Sequence, residues 1–376
     1  WFLSLLDDSS RQRFCEPDCS AHRTVDGITI LIAEVPPIRE DDLTPQRPWT
    51  QRPKSFWFAA LLGIFTPLLI LGGLYTATDI APPLLLIVFY LPLQLIAAAI
   101  AAYSTKGKHG IADSSIIVFA VGATILSAIV LGSMLVTIIV RGFEALRPSF
   151  IFQNSVYTSP STPLEYGGIG HAIVGTFLIV GIATVISVPL GIATAVYVTE
   201  VRGRAVPYVR FFVQAMSGVP SVVAGLFVLT VFILTGVLRQ SALAGAIAYA
   251  ILMLPTVART AEEVLRLVPE DLRTGALALG STRARVVLNV VLPAARTGVV
   301  TAMLLGIARV VGETAPLLLT ALKNDQTVTN PISDPISALP TFIFDNVAQP
   351  YPDAVTRAWG AALVLMILVS VLFTIT

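Results

Sequence analysis

Residues 115–140 read SIIVFAVGATILSAIVLGSMLVTIIV, a run without one charged side chain. It exceeds the length of about 20 residues that carries an α-helix through a ~30 Å hydrocarbon layer. Its apolar positions do not alternate with polar ones, which excludes the strand of a lipid-facing barrel. Working outward, comparable runs fall near 56–75, 81–103, 170–198, 211–237, 241–258, 297–320 and 357–376, which with 115–140 makes eight. Backbone N–H and C=O groups in lipid must be bonded within their own segment, so these runs are expected to be helices and the chain an all-α integral membrane protein. Composition agrees: 55% of residues are hydrophobic and 12% charged, where soluble domains carry about a quarter charged. The run at 241–258 is short and alanine-rich, and Pro255 is expected to lie at its end.

Basic residues set the orientation. Arg47, Arg52 and Lys54, then Lys106 and Lys108, then Arg202, Arg204 and Arg210, then Arg259, Arg266, Arg273, Arg283 and Arg285 occupy one set of connections. The opposite connections hold only Arg141, Arg147, Arg239 and Lys323. Lysine and arginine stay on the cytoplasmic side of short loops, so both termini are expected there. The net charge of +1 and the lack of a dense basic patch with interleaved aromatics give nucleic acid no footing. Residues 1–55 are polar and rich in proline, which predicts a mobile cytoplasmic tail. In that tail Cys15, Cys19 and His22 form three ligands at unconventional spacing, so neither a disulfide nor a zinc site is expected. The chain starts at Trp1 without methionine and stops at Thr376 within an apolar run, so further residues are expected beyond both ends.

The connection between the sixth and seventh runs reads EDLRTGALALG over Glu270 to Gly280 and STRARVVLNVVLP over Ser281 to Pro293. Pro269 can open a helix with Glu270 and Asp271 in its first turn, where the dipole favours acids, and Gly280 can close it. Arg283 and Arg285 follow, placed to meet lipid headgroups or acidic partner side chains. The order glycine, nine residues, aliphatic residue, one residue, Leu-Pro resembles the EAA loop of bacterial ABC importer permeases, whose pattern is E-A-A-x3-G-x9-I-x-L-P. Ala276, Gly280, Leu292 and Pro293 match it, while Thr274, Gly275 and Val290 replace the glutamate, an alanine and the isoleucine. The resemblance implies a short cytoplasmic helix, within 259–293, that docks into a groove of an ATP-hydrolysing subunit.

The seventh run contains LLGIARVVGETAP over Leu304 to Pro316, with Arg309 and Glu313 inside an otherwise apolar span. At ~1.5 Å per residue Arg309 lies ~18 Å beyond Thr297, past the middle of the hydrocarbon core. Four residues apart, the two charges are expected to share a helix face and pair, turning that face toward protein or a water-filled path. Arg309 then offers a forked cation to a passing oxyanion while Glu313 keeps the empty site neutral. A packing ion pair that never meets a substrate is the competing reading.

Two motifs narrow the resemblance. Ala308 to Leu317, ARVVGETAPL, resembles the A-R-x-x-G-E-T-A-P-L signature of the A-type permease subunit (PstA-like) of Pst phosphate importers, and Gly218 to Phe227, GVPSVVAGLF, is similar to that family's G-[IV]-P-S-x-x-x-G-L-F segment. Pro335-Ile336, Leu339-Pro340, Ile343-Phe344 and Ala358-Trp359-Gly360 add to it. The resemblance covers about 113–376 and implies a six-helix permease core, preceded by two extra helices in 56–112 and the tail 1–55. It implies a second permease (PstC-like), two ATPase subunits (PstB-like) and an extracytoplasmic phosphate-binding protein (PstS-like), in the lipid of a bacterial cytoplasmic membrane. Ser217, Ser221 and Thr314 can donate to a phosphate oxygen or bond their own helix backbone. His171 reads as an interfacial headgroup or water partner, and Pro189 as a packed kink.

The chain has no G-x4-G-K-[ST] sequence and no H-E-x-x-H, so ATP and Mg are expected on the partner ATPase, with no cofactor and no catalytic metal held here. The function implied is alternating access driven by ATP, with phosphate released along Arg309. Alternatives are import of sulfate or molybdate by the same machine, a stand-alone secondary anion transporter relaying ions through Arg309 and Glu313, and a sensory scaffold without transport.

Overall fold

The computed structural model describes residues 23–25, 28–30, 69–70, 91–201 and 203–374. Most of the expected span at 56–75, the first part of that at 81–103, Cys15, Cys19, His22, Arg202 and nearly all of the tail lie outside the described residues. The chain divides into two compact units, Trp1–Thr124 and Ile125–Thr376.

In the first unit, β1 (Arg23–Val25) pairs antiparallel with β2 (Ile28–Ile30), Val25 opposite Ile28. The sequence between them, Asp26-Gly27, is a dipeptide that two-residue hairpins favour. Helix α1 (Leu91–Phe143) begins in this unit and runs unbroken past Thr124. That corrects the expectation of two spans joined by a loop, because Lys106 and Lys108 sit in helix. The interval has no proline, and Gly107 and Gly110 cost a helix only about 1 kcal/mol each, so polarity alone does not end it.

The second unit continues through α2 (Pro148–Phe152), α3 (Gly170–Val196) with a π-helical turn over Tyr197–Val201, α4 (Val206–Ser217) and α5 (Ser221–Val228) with a second π-helical turn over Leu229–Ile233. Then come α6 (Ala242–Arg266), α7 (Glu270–Ala278), α8 (Arg283–Val286) with a π-helical turn over Val287–Val291, α9 (Leu292–Ala294), α10 (Arg296–Val311), α11 (Ala315–Thr320), α12 (Leu339–Val347) and α13 (Pro352–Thr374). Among the described residues, Phe119–Phe143, Gly170–Val201, Ala242–Arg266 and Pro352–Thr374 are each long and apolar enough to cross a membrane. Two bent pairs raise the number to six if each is one span: Val206–Ser217 with Ser221–Ile233, bent by 102°, and Arg283–Ala294 with Arg296–Val311, bent by 75°.

Three expected spans are thereby redrawn. The run at 211–237 breaks at Gly218-Val219-Pro220, where proline supplies the N-cap position of α5. The run at 297–320 stops at Val311 and restarts at Ala315. The run at 241–258 extends to Arg266, with Pro255 buried inside the helix and not at its end. Packing from neighbouring helices is what lets a membrane helix carry an internal proline, and the same holds for Pro189 inside α3.

Helix α6 is the centre of the second unit. Its small residues Ala242, Ala246, Ala258 and Ala261 are almost fully buried, and Tyr249, Met253 and Val257 fill the space around them. Small side chains let backbones approach, which is how membrane helices associate when the solvent is itself apolar. A Cβ placed on Gly191 of α3 would meet the Val257 side chain at 2.9 Å, and one on Gly306 of α10 would meet it at 2.6 Å, so α6 is gripped from both sides. At the end of the bundle near α12, Arg357 is buried and donates to the carbonyls of Thr162, Pro163 and Tyr166, tying the 153–169 connection to α13.

Candidate functional site

Helix α10 delivers Arg309 near its C-terminal end, one turn before the chain breaks at Gly312. The guanidinium is exposed and donates through Nη1 to the Thr256 hydroxyl on α6 at 3.0 Å. The expected Arg309–Glu313 ion pair is not formed. The (i, i+4) geometry that would align the two requires continuous helix, and Gly312 ends α10 between them. Instead the backbone carbonyl of Glu313 accepts from the buried hydroxyl of Tyr249, two turns before Thr256 on the same helix. Helix α6 therefore holds both sides of the break, the cation through Thr256 and the backbone through Tyr249.

The second motif lies against the first. A Cβ on Gly225 of α5 would stand 2.6 Å from Cα of Pro316, so only glycine allows α5 and α11 to touch there. Ser221 is one turn before Gly225, and Thr314 occupies the N-cap position of α11, two residues before Pro316, without a side-chain capping bond. The hydroxyls of Ser221 and Thr314 make no hydrogen bond within the described residues, whereas Ser217 donates to the carbonyl of Val213 in its own helix at 2.9 Å. Of the three hydroxyls, Ser217 thus keeps only acceptor capacity. His171 does not face water or headgroups: it is buried, edge-on to Phe342, with Nε2 4.0 Å from Asp325. Burial in a closely packed helix start overrides the water or headgroup contact expected of it.

The connection after α6 forms the helix its sequence predicts. Pro269 is the N-cap residue of α7, and Glu270 and Asp271 occupy its first turn. Gly280 adopts φ +81° just past the end. The Gly280 amide donates to Leu277 O and the Ser281 amide to Ala276 O, the paired bonds of a Schellman cap. Thr274 and Gly275 are exposed, Ala276 is half-buried, and Arg283, Arg285 and Pro293 face outward with Leu292 half-buried behind them. Leu272, Leu277 and Leu279 are exposed beside them, so α7 presents an apolar surface bounded by charge. Sequence reasoning treated Arg273 as a topology signal only, yet its side chain pairs with Glu200 at 3.0 Å. Tyr249, Thr256 and Arg273 were missed because nothing local marks them; each acts on a partner distant in sequence.

A bundle of membrane-length helices with a cation at a broken span, and an exposed capped helix between two spans, is the architecture of a multi-pass permease. The family model described as "Binding-protein-dependent transport system inner membrane component" matches residues 187–376. The "Phosphate transport system permease protein PstA 1" of Mycobacterium tuberculosis is 40% identical over 239 residues, 63% of this chain and 78% of that one. The PstA of Haemophilus influenzae is 38% identical over 236 residues, 62% and 81% of the two chains. The probable PstA of Methanocaldococcus jannaschii is 37% identical over 264 residues, 69% and 90%. The chain belongs to the PstA family of phosphate transport system permease proteins, multi-pass components of an inner membrane.

Proposed function

We propose that this chain forms one half of the path by which phosphate crosses the bacterial cytoplasmic membrane, as the A-type permease of an ATP-driven importer. A PstC-like permease completes the path, two PstB-like ATPases supply motion from ATP and Mg, and a PstS-like protein delivers phosphate from outside. The phosphate assignment is supported by the names of the relatives. The observation that carries the pathway is Arg309: a guanidinium in an apolar helix, exposed, bonded to a neutral hydroxyl and to no recorded carboxylate. A charge so placed is costly against lipid and is stable against a wet path, where its fork can receive a tetrahedral anion. Glu313 and the hydroxyls of Ser221 and Thr314 border the same break, and Ser217 contributes at most an acceptor.

Helix α7, with Thr274, Gly275, Ala276 and Gly280, and the following Arg283, Arg285, Leu292 and Pro293, docks on the ATPase at the cytoplasmic face, the side on which both termini lie. The core begins within α1, near residue 113, and runs to 376, after a tail at 1–55 and the added apolar segments of 56–112, the second of which is continuous with α1. ATP-driven closure of the ATPases moves α7, the bundle opens to the other side, and phosphate leaves along Arg309.

The test is labelled phosphate uptake in proteoliposomes holding the complex and its binding protein, with and without internal ATP. ATP-dependent uptake resistant to excess sulfate and molybdate is expected. Uptake indifferent to ATP would replace the importer by a stand-alone carrier, and suppression by either competitor would change the substrate.

A further inference from the structure

Helix α7 has nine residues and buries none of them. A helix that short is marginal in water by itself, and beyond the contact of Ala276 with the cluster around Val286 and Val291 its place is set by tertiary bonds. Those bonds converge on Arg273. Its Nε donates to Glu200 at 3.1 Å, and Nη2 donates to the same carboxylate at 3.0 Å and to the Leu265 carbonyl at 2.7 Å. Nη1 donates to the Val268 carbonyl at 2.6 Å and to Glu270 at 3.1 Å. A guanidinium has five N–H donors, and all five are engaged. The Arg273 and Glu200 side chains are only 12% and 11% exposed.

The partners come from three elements. Glu200 lies in the π-helical turn that ends α3, Leu265 and Val268 lie at the C-terminal end of α6, and Glu270 opens α7. Leu265 O takes bonds from the capping amides just past α6, and Val268 O lies two residues beyond the helix, so Arg273 meets carbonyls at the negative end of the helix dipole. A cation there closes α6 while fixing α7 beneath it. The same α6 carries Thr256 and Tyr249, which hold the Arg309 cation and the Glu313 carbonyl.

We propose that Arg273 is a positioning residue that clasps α7 to the ends of α3 and α6, so that displacement of α7 reaches the pathway helices as one rigid movement. This rests on the reading of α7 as the ATPase-docking helix. Lysine cannot replace it fully, since an ammonium offers three donors from one point and cannot span a carboxylate and two carbonyls in a plane.

The experiment uses the complex purified through a tag on this chain, reconstituted with the binding protein, with ATP hydrolysis and labelled phosphate uptake read from the same vesicles. In Arg273→Gln and Glu200→Gln the ATPase subunits stay bound and hydrolysis stays within about twofold, while phosphate moved per ATP falls roughly tenfold. Arg273→Lys recovers part of that ratio, and the double variant is no worse than Arg273→Gln alone, because both changes remove one interaction. An unchanged ratio of phosphate to ATP overturns the proposal. So does loss of the ATPase subunits, or a fall of both activities in proportion, since Arg273 would then build the docking surface or the fold and transmit nothing. If the unaltered chain holds no ATPase, the docking reading fails first and takes the clasp with it, an outcome visible before any variant is made.

Discussion

Two membrane-length segments of 25 residues each, Phe119–Phe143 of α1 and Ala242–Arg266 of α6, have opposite relations to their surroundings. The first has the higher mean hydropathy, 2.5 against 1.6, and its apolar window buries 0% of its residues inside the chain, where that of the second buries 67%. In water the order would be reversed. In a bilayer, apolar side chains gain nothing by leaving lipid for protein, so hydropathy marks the lipid face, and small residues that permit close contact mark the core. The helix that organises the site is therefore the less conspicuous of the two.

The comparison breaks most directly by disturbing one contact against α6 and one side chain on the lipid-facing segment. Gly306→Leu on α10 drives a side chain into Val257 and Met253 of α6. The expected cost is about 3 kcal/mol or more, with most folded, monodisperse protein lost in detergent chromatography. Leu131→Ala on the exposed face of α1 should change stability by less than about 0.5 kcal/mol. A large effect at Leu131 would mean that α1 packs on a partner subunit in the assembled complex.

Function should follow the same division. Arg309→Gln removes the forked cation while leaving the helix intact, and phosphate uptake is expected to fall about 10- to 100-fold with protein yield unchanged. Thr256→Val removes the hydroxyl that steers Arg309, and about a fivefold fall is expected, carried mainly by the apparent affinity for phosphate loaded on the binding protein. If Thr256→Val matched Arg309→Gln, the hydroxyl would itself be a substrate ligand.

The parts of this architecture that were legible in the sequence were those written locally. Pro269, Glu270, Asp271 and Gly280 specify the start and end of α7 within one short segment, and the structure reproduces them. The paired charges at Arg309 and Glu313 failed as a reading because they presumed helix through Gly312. The warning was available, since a proline inside a helix lacks an N–H and clashes with the carbonyl four residues before it, which for Pro316 is that of Gly312. The bonds of Tyr249 to Glu313, Arg309 to Thr256 and Arg273 to Glu200 join residues 64, 53 and 73 positions apart, and no local pattern encodes them.

Tyr249→Phe sharpens the comparison from inside α6. It deletes one hydroxyl and leaves the Glu313 carbonyl without its donor, a cost of about 1–3 kcal/mol when no water reaches the group. The expected result is a lowered melting temperature with uptake reduced about threefold, both read on the purified complex. A change confined to stability would make Tyr249 a fold residue and leave the break at Gly312 to position itself.

The smallest effect is expected outside the spans, at Asp345 on α12. Burial raises its carboxyl above the ordinary value, nearby Asp325 adds to the rise, and Lys323 opposes it. A raised native pKa means that the folded state holds the proton more tightly than the unfolded chain does. The contribution of Asp345 is then fully present below the unfolded pKa and declines as pH rises through the folded one. In Asp345→Asn that decline disappears, so the variant should match the parent at about pH 3 and melt slightly higher at about pH 7. A variant that instead melts lower at neutral pH would show that the attraction of Lys323 outweighs burial, making Asp345 a stabilising anion of the region between α11 and α13.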